Sequence, residues 1–134
     1  MSDEPRNLSQ HPLHLGLGAT AVPQPLFTGE MEWYRGYGER HGGDGIEGRL
    51  VSMHTFTDSW DVWEMHPTGA EVVLCVGGSI ELVQEIEDQE VATTLTVGEY
   101  AINSPGTWHT ANVTEPTTAV FITAGAGTEH RPRN

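Results

Sequence analysis

Lysine is absent from the chain, and six arginines stand against 19 aspartates and glutamates, a formal net charge of −13. Phosphate backbones and anionic membrane surfaces are held by clustered cations, so this balance argues against both as partners. The acidity reads as a soluble, self-repelling surface. Cysteine is almost absent as well. Cys75 is the single one, which excludes an internal disulfide. It lies in the apolar run 72–76 and reads as a small buried hydrophobe, because a reactive thiol needs a basic neighbour in space. No basic leader followed by an apolar stretch opens the chain, and no run approaches the about 20 apolar residues of a membrane helix. The expectation is a reduced, soluble, cytoplasmic protein.

Helical periodicity is also missing, whereas turn signals are abundant. The 134 residues suffice for one domain with a single core. Residues 1–45 read as an irregular arm and Gly-rich loop, broken by Pro5, Pro12, Pro23 and Pro25. Leu13, Leu15 and Leu17 alternate as in one short strand, and His11 and His14 read as exposed histidines without further ligands. Trp33, Tyr34 and Tyr37 form an apolar piece that would dock on the domain or on a second subunit. The six glycines of 36–48 lack a phosphate-binding frame and read as a mobile loop. From 46 to 125 the character is β, with strands expected at 50–56, 60–66, 71–76, 79–86, 91–97, 99–103, 108–113 and 117–123. Residues 126–134 form a tail without a pattern of its own. About eight short strands separated by turns define an all-β barrel or sandwich.

Chemistry concentrates in two stretches. The first runs Glu64-x-His66-x4-Glu71-x6-Gly78, and the second contains Gly98, Ser104-Pro105-Gly106 and His109. Glu64 and His66 are two apart, so in an extended strand they face one side. Pro67 to Ala70 turns the chain, after which Glu71 opens a strand expected beside the first. Four groups able to bind a divalent cation therefore lie at strand ends that one barrel can bring together.

These two stretches resemble the paired motifs of the cupins. Glu64 stands where the first motif usually has a histidine, Ser104 replaces a proline, and Asn112 falls one residue early. The resemblance implies a double-stranded β-helix, or jelly-roll barrel, with Glu64, His66, Glu71 and His109 as metal ligands. The implied cofactor is one divalent transition metal ion, Fe, Mn, Ni or Zn. Glu64 has two readings, a fourth ligand or a catalytic acid–base group beside a three-ligand site. Pocket-lining candidates are Trp60, Val73 and Cys75 by strand parity, together with Asn103 and His54. His54 reads first as a hydrogen-bonded structural histidine and second as a stand-in for the missing motif histidine. Trp108 points away from its neighbour His109. The resemblance further implies a small-molecule substrate, a homodimer, and an enzyme of the dioxygenase or isomerase kind. The alternative is a binding module, with or without a metal, that holds a small molecule without turnover.

Overall fold

β-Branched and aromatic residues are frequent after residue 48, and most of the chain there is strand. The computed structural model describes residues 4–134. In chain order it contains β1 (Leu13–Gly16), β2 (Thr20–Pro23), α1 (Met31–His41), β3 (Arg49–Phe56), β4 (Val62–Met65) and β5 (Glu71–Gly77). There follow β6 (Ser79–Ile86), β7 (Gln89–Thr96), β8 (Tyr100–Asn103), β9 (His109–Asn112), β10 (Thr117–Thr123) and β11 (Glu129–Pro132). One antiparallel sheet has the order β2-β1-β3-β10-β5-β8, the other β11-β4-β9-β6-β7. Alternating inward residues of both sheets meet in a core of Val73, Cys75, Ile80, Leu95, Ala111, Val113, Ala119 and Phe121. This is the jelly-roll barrel that the motifs imply.

Two glycines fix the motif turns. Gly78 has φ +70°, and a Cβ there would meet the Pro116 carbonyl oxygen at 2.5 Å. Gly106, at φ +83°, donates its N–H to the His66 carbonyl at 2.9 Å. The second motif's turn is thus tied directly to a residue of the first.

Four expectations are corrected. The segment after β4 does not form a hairpin with it: β5 pairs with β10 and β8, while β4 pairs with β9 and β11. The intervening turn carries the chain from one sheet to the other. Second, Met31–His41 is a helix rather than irregular chain. Two internal glycines weaken it by about 1 kcal/mol each, which hid it from a propensity reading. Trp33, Tyr37 and His41 nevertheless recur at helical spacing, and Trp33 is buried with its indole N–H donating to the Pro25 carbonyl at 3.2 Å. The Gly-rich stretch continues as a 3-10 turn over Gly42–Glu47. Trp33 packs inside this chain and Tyr37 is half-buried there, while Tyr34 stays exposed. Third, the tail is strand β11, with His130 opposite Glu64 on β4. Fourth, His14 is buried, not exposed, and His11 is half-buried with its ring bonded to the Gln24 carbonyl.

No helix among the described residues is long and apolar enough to cross a membrane.

Candidate metal centre

The register of β4 against β9 sets Glu64 opposite His109, and that of β5 against β8 sets Glu71 opposite Asn103. His66 follows β4 directly. Glu64, His66 and His109 therefore come from one sheet and Glu71 from the other, and all four meet at one end of the barrel. Their ligand atoms lie within 4.8 Å of one another. His66 Nε2 is 3.0 Å from Glu64 Oε1 and 3.1 Å from Glu71 Oε2. His109 Nε2 is 3.1 Å from Glu71 Oε1 and 3.6 Å from Glu64 Oε1.

These contacts are short enough for ion pairing, yet neither buried Nε2 makes a well-directed hydrogen bond. The opposite ring nitrogens explain where the protons sit. His109 Nδ1 faces the Thr107 carbonyl at 3.2 Å, which can only accept. His66 Nδ1 is 2.8 Å from Thr128 Oγ1, whose own hydroxyl donates to the Gly125 carbonyl at 2.8 Å. Both Nδ1 atoms are therefore N–H donors, and in the neutral ring each Nε2 presents a lone pair to the carboxylates. Lone pairs and carboxylates facing one another repel unless a cation or protons stand between them. Ligands about 2.1 Å from a common ion are separated by roughly 3.0–3.4 Å; the contacts of 3.0 and 3.1 Å fall in that range, and His109 to Glu64, at 3.6 Å, lies just beyond it. The donor set, two imidazoles and two carboxylates, suits a divalent transition metal.

Outer residues hold these ligands in place. Glu71 is buried and receives the Asn103 amide at 3.1 Å on Oε1 and the Thr123 hydroxyl at 2.7 Å on Oε2. Gln84 in turn fixes Asn103, donating to its Oδ1 at 2.7 Å. Glu64 is looser: its side chain keeps 23% of its exposure, and Oε2 lies 2.9 Å from His130 Nε2. Burial alone disfavours both ionised carboxyls, but the imidazoles of His109 and His66 outweigh it. Glu71 is held down to about 2, and Glu64 well below the usual carboxylate range. Burial likewise disfavours the charged imidazoles, and the two carboxylates outweigh that too, raising His66 and His109 to about 9. Without a cation the quartet thus balances its charge with two protons.

The ligands open into a cavity of about 1110 Å³ between the barrel end and α1, walled by Leu50, Phe56, Trp60, Tyr34, Tyr37 and Phe121. Trp60 lines it, as expected, and its buried indole N–H has no partner. His54 also lines it, among the rings of Phe27, Phe56 and Phe121, but stands outside the ligand cluster. Val73 and Cys75 face the correct side but lie deeper, in the closed core, where they are fully buried. Asn103 sits behind Glu71 and touches the ligand rather than the cavity. Trp108 is on the outer side, with the Arg131 guanidinium 4.5 Å from its ring centre. Sequence reasoning missed Thr123, Gln84, Thr128 and His130. No spacing marks them, since β10, β6 and the C-terminal segment reach the site only through sheet pairing.

No protein-family model matches the chain, and no curated protein does. Among solved structures, an uncharacterised conserved protein with a double-stranded β-helix domain from Klebsiella pneumoniae is similar at 22% identity. The match covers 64% of this chain and 75% of that one, with a TM-score of 0.52. A cupin-2 domain protein from Shewanella frigidimarina matches at 21% identity over 63% of this chain and 71% of its own, TM-score 0.47. Oxalate oxidase in complex with the substrate analogue glycolate matches at 12% identity over 60% of this chain and 45% of its own, TM-score 0.52. The chain has the double-stranded β-helix fold of the cupins. Identities this low establish architecture and leave the reaction to the site itself.

Proposed function

We propose that this chain is a metal-dependent cupin enzyme acting on a small uncharged molecule, of the dioxygenase or isomerase kind. The observation that carries the reading is the pair of buried Nε2 atoms on His66 and His109, unpartnered and facing two carboxylates. His66, Glu71 and His109 would hold the ion, with Glu64 as the fourth and most exposed ligand. A bound divalent metal supplies Lewis acidity and, when redox-active, electrons.

The protein's own groups supply the rest. Asn103 and Thr123 lock Glu71, and Thr128 and the Thr107 carbonyl lock the imidazole tautomers. The aromatic wall of Phe56, Trp60 and Phe121 excludes water from one side. Glu64 links the buried ligands to half-exposed His130, so a proton taken up at Glu64 Oε2 has a route toward solvent. None of the described residues lining the cavity is Arg or Lys. Beyond the ion itself an anionic substrate would find no fixed Arg or Lys charge there, which favours a neutral one.

A second reading is favoured by one observation. With His66 and His109 raised to about 9, the quartet is electrically neutral on protons alone, as a metal-free binding module requires. Elemental analysis of untagged protein, followed by calorimetry with Fe(II), Mn(II), Ni(II) and Zn(II), separates the two. The metal reading expects one ion per chain at the cluster. Absence of binding for all four ions after reloading refutes it in favour of the second.

A further inference from the structure

A second set of polar side chains converges on the wall of the same cavity. His14 on β1 is buried, with 1% exposure. Its Nε2 is 2.6 Å from Asp44 Oδ2 in the 3-10 turn, and its Nδ1 is 2.6 Å from the Tyr37 hydroxyl on α1. A carboxylate only accepts, so Nε2–H donates to Asp44, and in the neutral ring Nδ1 accepts the phenol proton of Tyr37. His41 stacks on the His14 ring at 3.9 Å and takes a hydrogen bond from Gln24 at 2.8 Å, so it covers the imidazole without competing for its nitrogens. Two glycines make the room. A Cβ at Gly16 would lie 2.6 Å from Asp44 Oδ2 and 3.0 Å from His14 Nε2, and one at Gly48 would lie 3.0 Å from both Asp44 and His14. The backbone is thus pared down where the pair sits. His14, Tyr37 and His41 all line the cavity.

The geometry points to an Asp44–His14–Tyr37 proton relay that makes Tyr37 a base-assisted phenol, a second acid–base group facing the cavity. The relay shares no residue with the candidate metal centre, and rests on the reading above only for its substrate class. That class is an uncharged molecule with a hydroxyl group, or with an acidic C–H beside a carbonyl. The substrate's proton passes to Tyr37 Oη as the phenol's own proton passes to His14 Nδ1. The imidazolium formed is held by Asp44, and the reverse transfers restore the resting state. Burial, and after it the Asp44 charge, push the Tyr37 phenol up to about 12, so at rest the proton stays on oxygen, as the direction of the hydrogen bond requires.

Benzenesulfonyl fluoride, a small neutral aromatic electrophile, tests this without knowledge of the substrate. Tyr37 Oη attacks sulfur, the O–S bond forms as the S–F bond breaks, fluoride leaves, and the phenol proton goes to His14 Nδ1. Mapping modified residues by mass spectrometry should show Tyr37 reacting at least about tenfold faster than Tyr100, since base assistance contributes 10²-fold or more. Tyr100, 63% exposed and outside the cavity, is the reference for an unassisted phenol. His14→Gln and, with less disturbance to packing, Asp44→Asn should each slow Tyr37 by about tenfold, leaving Tyr100 unchanged. Circular dichroism checks that each variant is folded. If Tyr37 reacts no faster than Tyr100, or keeps its rate in folded Asp44→Asn protein, the three residues merely pin α1 to the sheet and the proposal fails. Chelator-treated protein should label identically, so a failed metal reading and a failed relay give different results.

Discussion

Metal binding at the quartet should release protons well above the ordinary histidine range. In the metal-free protein His66 and His109 are raised to about 9 by Glu64 and Glu71, against the pull of burial. At pH 7.5 both rings therefore carry a proton on Nε2, the atom a cation must occupy, and binding expels up to two protons per ion. Affinity then rises about a hundredfold per pH unit, tenfold for each displaced proton, until the pH approaches 9. Imidazoles at an ordinary pKa near 6.5 would instead level off above about pH 7. Calorimetry at pH 7.5 in two buffers of different ionisation enthalpy counts the released protons directly. A count near zero, with tight binding, would refute the coupling drawn here. Stability without metal runs the opposite way. Raised imidazoles contribute fully below 6.5, and the contribution is lost as pH rises through about 9. The depressed carboxyls contribute above 4.5 and lose that contribution as pH falls toward their lowered values. The metal-free form is therefore best stabilised by the quartet between about 4.5 and 6.5, while the metal-bound form gains with rising pH. The metal-linked rise in Tm should be larger at about pH 8 than at about pH 5.5.

Four substitutions sharpen the site. His66→Ala and His109→Ala should each empty it while far-UV circular dichroism stays that of the β-fold; metal retained in either variant would remove that residue from the ligand set. Glu64→Gln should weaken metal binding by more than about tenfold, 1.4 kcal/mol, if Glu64 is a ligand. Unchanged metal content with lost turnover would instead make it the acid–base group. Asn103→Ala should lower stability by about 1–3 kcal/mol in urea unfolding and loosen metal binding, because Glu71 loses a buried donor.

The motif residues were legible because their spacing maps directly onto strands. Glu64 and His66 share a face by parity alone, and 79–86 and 117–123 fold as read, as β6 and β10. What parity does not give is depth: Val73 and Cys75 point the same way as Glu71, yet each step of two residues carries them about 6.6 Å farther down the barrel, into closed core. Nor does it give partners. β4 and β5 are neighbours in sequence but lie in different sheets, and β11, which resembled a patternless tail, is the strand that brings His130 to Glu64. The helix over Met31–His41 was hidden because its glycines argue locally against it, and only the packing of Trp33 and Tyr37 overrides them.

Glu64, the one departure from the expected ligand pattern, is consistent with its surroundings when charge is counted. Two imidazoles and two carboxylates carry −2, which a divalent cation cancels; the cation-free quartet cancels it with two imidazolium protons. The interior end of the barrel is therefore neutral in either state, and neither requires an unpaired buried charge. A histidine at position 64 would leave the metal-bound set at +1, with no acidic group on Asn103, Thr123 or Thr128 to offset it. Its imidazole would also face His130 across β4 and β11, where Glu64 Oε2 now meets that ring at 2.9 Å. The carboxylate at 64 and the histidine at 130 are thus a matched pair set by strand register. The proton route proposed above would depend on both.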